Sequence, residues 1–210
     1  MGGLPGVPFD RPFGCFHRDG MKQLRRCRIE CTQFLKDGME AITPRGGMDS
    51  SSNMSPDQIA TAYHEAGHAV MALALGRPVH RVSVLPNHLH LGHCDFSKGA
   101  FRPTKDELER ETLILLAGLA AEARRMGRYA WEAAEHDLRC VRSLTRTRAA
   151  DERQAERLER RLLDKTEHLL NQPGAWTATE RIAEELLRKT TISGRAARHL
   201  FDQAVVQARA

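Results

Sequence analysis

The chain has 210 residues and a mass of 23.6 kDa, the size of one domain with or without a tail. Hydrophobic residues at 41% and charged residues at 28% argue against wholesale disorder, and with aromatics at only 5% aliphatic helices must fill the core. The net charge of +5 is spread as eight Lys/Arg against six Asp/Glu over residues 1–53 and 24 against 21 over the rest, so no concentrated basic patch points to nucleic acid.

The longest apolar runs, residues 69–75 and 113–121, fall far short of a bilayer crossing, and no transmembrane segment is expected. No charged and then apolar leader opens the sequence, so no signal peptide is expected either. Cys15, Cys27, Cys31, Cys94 and Cys140 are odd in number and scattered, which fits neither a disulfide framework nor a paired zinc site and agrees with a reducing, cytoplasmic setting.

Residues 1–53 differ from the rest. A Gly/Pro-rich start and the linker-like stretch 42–53 flank one short candidate helix over 21–40, on which Cys27 and Cys31 stand a turn apart without a second ligand pair. Met39, Met48 and Met54 offer internal starts. Residues 1–53 are therefore expected to be a disordered extension, or sequence upstream of a true start at Met54, and residues 54–210 the folded domain. N-terminal sequencing of the native protein decides between these.

From Ser55 the pattern is sharp. Ser55, Pro56 and Gln58 supply an N-cap, a first-turn proline and a capping box, predicting a helix to Leu75 with Gly76 as its stop. Residues 80–85 alternate and read as a strand, and residues 87–96 as a turn and a second strand. Thr104 and Glu107 make another capping box, for a helix that is apolar over 113–121 and ends at Gly127. Helical patterns follow over 131–148 and 151–170, with Pro173 as a break. Thr177 and Glu180 then cap a helix to Lys189, and Ser193 starts the last one. No internal repeat is present.

The chemistry concentrates in Tyr63-His64-Glu65-Ala66-Gly67-His68. Histidines at i and i+4 share one helix face, so both imidazoles reach one metal ion, and Glu65 beside them can hold a water and take its proton. Zinc suits two neutral imidazoles plus a carboxylate with a fourth position open. A metzincin-type third histidine would fall at Ala74 and is excluded. The remaining candidates for the third ligand are Glu122, Glu132, Glu135, His136 and Asp137, which composition does not rank. His88, His90 and His93 with Cys94 form a second cluster, for which a separate metal site is conceivable although no carboxylate or thiolate framework surrounds it. Cys140, Trp131 and Trp176 read as packing residues.

The segment AYHEAGHAV at 62–70 resembles the zinc-helix motif of FtsH-type peptidases, the proteolytic domain of membrane-bound AAA+ proteases. The resemblance continues through HRVSVLP at 80–86, Leu91-Gly92, LLAGLAAE at 115–122, AAEHDL at 133–138 and IAEELLRKTTISG at 182–194, in order and at comparable spacing. It implies a mainly α-helical, zincin-like α+β domain with a small β-element beside the zinc helix. It also implies a zinc metalloendopeptidase in which His64, His68 and Asp137 hold Zn2+ and Glu65 is the general base. For His88, His90 and His93 it implies cleft-lining or surface histidines in place of a second metal site. Ala133 and His136 depart from the family's Gly and Asn before that Asp, leaving His136 and Glu122 as candidates for hydrogen-bonding the ligands.

The sequence holds no Gly-x-x-x-x-Gly-Lys-Ser/Thr phosphate loop, so the expectation is a peptidase domain without the family's ATPase module or membrane anchor. It would act on unfolded or flexible polypeptides, alone, with an AAA+ unfoldase in trans, or as a homo-oligomer. An extended substrate is expected to add to the strand near residues 82–85. Two alternatives stand beside this: a non-catalytic interaction or regulatory module that keeps the fold and a bound zinc, and a closed structural site with His136 or His93 as fourth donor.

Overall fold

The computed structural model describes residues 54–86, 92–96 and 105–210. The expectations for residues 1–53, His88, His90 and the Thr104 cap lie outside the described residues.

Helix α1, Pro56–Ala74, begins where the capping chemistry puts it. The Gln58 amide donates to Ser55 Oγ, the Ser55 amide donates to the Gln58 side chain, and Pro56 takes an early position that needs no N–H donor. Gly76 ends it with a left-handed φ of +75°, which a side chain would oppose.

A three-stranded antiparallel sheet of order β2-β1-β3 follows, made of β1 (Val79–Ser83), β2 (His93–Phe96) and β3 (Thr191–Ser193). Val82 pairs with Cys94 on one side and Ile192 on the other, and Val82 and Ile192 are buried in the core. Strand β3 was not expected. It is three residues long, hidden between a helix and the Ser193 cap, and too short to show alternation. Its presence corrects the expected docking strand: over Arg81–Ser83 both edges of β1 are taken, and the Val84 amide donates to the Thr190 carbonyl. An incoming chain cannot pair with Val82 or Ser83 in the way expected. Among the described residues the edge of β2 away from β1 has no strand partner.

Helix α2, Lys105–Met126, ends at Gly127, again at positive φ. Helix α3, Glu135–Arg146, starts later than expected because residues 131–134 form a turn. Helix α4, Glu152–Leu170, is capped by Asp151, whose carboxylate accepts from the Gln154 amide at 2.7 Å. Pro173 follows the end of α4 at Leu170, as expected, but helix α5, Pro173–Lys189, starts there and not at the expected Thr177 cap: proline sits in the first turn and opens the helix. Helix α6, Gly194–Gln207, starts at Ser193 as its sequence indicates.

The domain is thus mainly helical, with the small sheet packed against α1. Small residues let α1 and α2 approach closely. Ala62, Ala66 and Ala69 are fully buried, and a Cβ on Gly67 would stand 2.3 Å from the Ala117 carbonyl oxygen. Trp176 lies between Tyr63, at 5.9 Å between ring centroids, and the Arg124 guanidinium above it. Among the described residues no helix is long and apolar enough to cross a membrane.

Candidate metal centre

Helix α1 presents His64 and His68 one turn apart, with ring centroids separated by 4.7 Å and the rings nearly perpendicular. Asp137, in the first turn of α3, meets both: His64 Nε2 lies 3.1 Å and His68 Nε2 3.3 Å from Asp137 Oδ2. A carboxylate in a helix's first turn also suits the positive end of the helix dipole. Among the described residues these three are the group of His, Cys, Asp or Glu side chains close enough to share an ion. Ligands about 2.0–2.1 Å from a tetrahedral zinc stand roughly 3.3 Å from one another. The separations found here fit that ion.

The outward-facing nitrogens are pinned. His64 Nδ1 bonds Glu122 Oε2 at 3.1 Å, and His68 Nδ1 bonds the Ile114 carbonyl at 2.7 Å. A carbonyl only accepts, so His68 Nδ1 donates to it, and the Glu122 carboxylate likewise accepts from His64 Nδ1; both Nε2 atoms are then the ones turned toward Asp137, where a proton or a metal ion can sit between them.

Burial alone would lower the His64 pKa, but hydrogen bonds to Asp137 and Glu122 raise it to about 10. Burial likewise opposes ionisation of Asp137, yet the two imidazoles hold its carboxyl well below the usual carboxylate range. The three side chains together form a centre that attracts positive charge.

Glu65 is buried, and among the described residues its Oε2 has no hydrogen-bond partner. Burial pushes its carboxyl up to about 7, with the neighbouring histidines pulling the other way. The backbone at Gly92, leading into β2, runs against this carboxylate: a Cβ there would fall 2.7 Å from Glu65 Oε1. An orphaned buried carboxylate oxygen is costly unless something at the site uses it.

The other sequence candidates fall elsewhere. Glu132 and Glu135 are exposed, and His136 turns along α3, its Nε2 3.8 Å from Cys140 Sγ. His93 stands on β2, with Nε2 3.9 Å from Asp95. Neither His136 nor His93 joins the cluster, so among the described residues the closed structural site expected through either of them is not formed. Three contributors escaped sequence reasoning: the Ile114 carbonyl, Gly92 and Gly118. A carbonyl acceptor has no sequence signature. A glycine inside the apolar stretch of α2 does have one, since helix interiors disfavour it.

Residues 53–151 match the family model described as Peptidase family M41. The ATP-dependent zinc metalloprotease FtsH of Cupriavidus metallidurans is 35% identical over 107 residues, covering 47% of this chain and 16% of that protein. The corresponding protein of Pirellula staleyi is 36% identical over 95 residues, with 42% and 13% covered. FtsH 1 of Symbiobacterium thermophilum is 36% identical over 114 residues, with 51% and 19% covered. The chain spans less than a fifth of the length of these curated relatives. Over residues 53–151 the chain thus matches Peptidase family M41, and it is similar there to the FtsH proteins of these bacteria.

Proposed function

We propose that this domain is a zinc-dependent metalloendopeptidase that hydrolyses peptide bonds of unfolded or flexible polypeptides. One observation carries the reading: the buried Glu65 Oε2, without a partner among the described residues, stands beside three converging donors, His64, His68 and Asp137. Those three would hold the zinc. Zinc so held polarises a scissile carbonyl and makes water acidic enough to yield a proton near neutral pH. Glu65 would accept that proton and return it to the leaving amine. Glu122 and the Ile114 carbonyl keep the imidazoles aimed.

Strand β2, next to the Gly92 contact with Glu65, offers an extended substrate an edge for backbone pairing. Such pairing recognises an extended backbone and little else, which favours unfolded chains. The relatives are named as ATP-dependent, and the 210 residues here contain no phosphate loop. Folded substrates would therefore call for an AAA+ unfoldase.

Zinc content and casein cleavage, measured on wild type and Glu65→Gln together without ATP, test the proposal. The expectation is about one zinc per chain in both proteins. Cleavage by Glu65→Gln should be at least ~100-fold slower. Equal cleavage by both proteins would remove Glu65 from the mechanism. Zinc without cleavage in either would favour an interaction module.

A further inference from the structure

We propose that Gly118 is a positioning residue of the metal centre, its missing side chain providing the room in which His64 and His68 present their Nε2 atoms to an ion. The inference rests on the zinc reading above. A Cβ at 118 would lie 2.5 Å from His68 Nε2, 2.6 Å from His64 Nε2 and 2.7 Å from His64 Cδ2. These two nitrogens are the ones that face Asp137. A methyl group at 118 and an ion cannot both stand against them.

The packing glycines of the domain are a different case. At Gly67 the obstacles to a Cβ are the Ala117 carbonyl and the Ala121 Cβ, and at Gly194 the Val79 carbonyl. Backbone blocks those positions, so substitution there strains the fold itself. At Gly118 the three nearest atoms all belong to the far ends of two imidazoles, which can shift where a backbone cannot, at the expense of their bonds to Glu122 and the Ile114 carbonyl. The Cβ of a helical residue also leans toward the helix N-terminus, so a side chain at 118 would tilt back toward the Ile114 carbonyl that holds His68. Helix propensity favours alanine at an interior position such as this one, within Lys105–Met126. Glycine here costs the helix something and serves the metal ligands.

The test is Gly118→Ala in two backgrounds, wild type and His64→Ala/His68→Ala. Zinc affinity is read by chelator competition and heat stability by melting of the metal-free proteins. Gly118→Ala should remain folded and lose roughly 100-fold or more in zinc affinity. Melting should show coupling: the substitution should be more favourable once both imidazoles are gone, because only the helix-propensity gain remains. Zinc affinity within about threefold of wild type would overturn the inference. So would an equal melting shift in both backgrounds, or loss of helical signal on Gly118→Ala alone. If wild type itself binds no zinc, the metal reading fails, while the melting comparison still decides whether Gly118 accommodates the imidazoles.

Discussion

Glu122 stands behind His64, one of the three proposed zinc ligands. It sits fifty-eight residues from His64 in sequence, yet its carboxylate fixes the ring's tautomer and orientation from inside α2. Glu122→Gln keeps an acceptor oxygen and removes the charge that makes His64 a better donor. Zinc affinity should therefore fall about 10-fold to 100-fold, read by chelator competition, with little change in metal-free melting. An affinity within twofold of wild type would make the carboxylate a mere packing group. The sequence displays His64, Glu65 and His68 because helical geometry puts i and i+4 on one face. Asp137 is legible only through the family's motif, because Glu122, Glu132, Glu135 and His136 are equally plausible ligands by residue type. What no sequence rule supplies is the contact of Gly92 with Glu65 or of His68 with a backbone carbonyl, since both depend on how α2 and β2 dock onto α1.

Among elements, those whose ends are written in side chains were the readable ones. Ser55, Asp151 and Ser193 each accept from a backbone amide three residues on, and each marks a helix start. The start of α5 was placed too late, at Thr177, because the same proline ring that ends one helical run is at home in the first turn of the next. The junction between α5 and β3 is written in backbone angles instead. Thr190, the C-cap of α5, has φ +58°, and its amide donates to the Leu186 carbonyl at 2.7 Å. A β-branched residue in the left-handed region costs about 1–2 kcal/mol. Thr190→Gly relieves that strain but adds freedom to the unfolded chain. It should stabilise the domain by about 1 kcal/mol, seen as a melting point raised by roughly 2–4 °C. A lowered melting point would show that the threonine hydroxyl, bonded to the Lys189 carbonyl at 2.7 Å, contributes more than the strain costs.

At the scale of the whole molecule, the donors tie together parts of the chain that pack through different partners. His64 and His68 belong to α1, buried between α2, α5 and the sheet, whereas Asp137 opens α3, beyond α2 and the turn at 131–134. An ion held by all three bridges α1 to α3 and binds only the folded chain, because the unfolded chain spreads the donors over more than seventy residues. Ligand linkage then fixes the size of the effect: zinc at a hundred times its dissociation constant adds about 2.7 kcal/mol. For a domain of this size that corresponds to a melting point roughly 5–11 °C above the chelated protein. The dependence should be logarithmic in free zinc and should vanish in His68→Ala, which removes one donor while leaving α1 capped. A zinc-independent melting point in wild type would mean that the three side chains converge without binding metal. A shift that survived in His68→Ala would mean that the metal binds elsewhere on the chain.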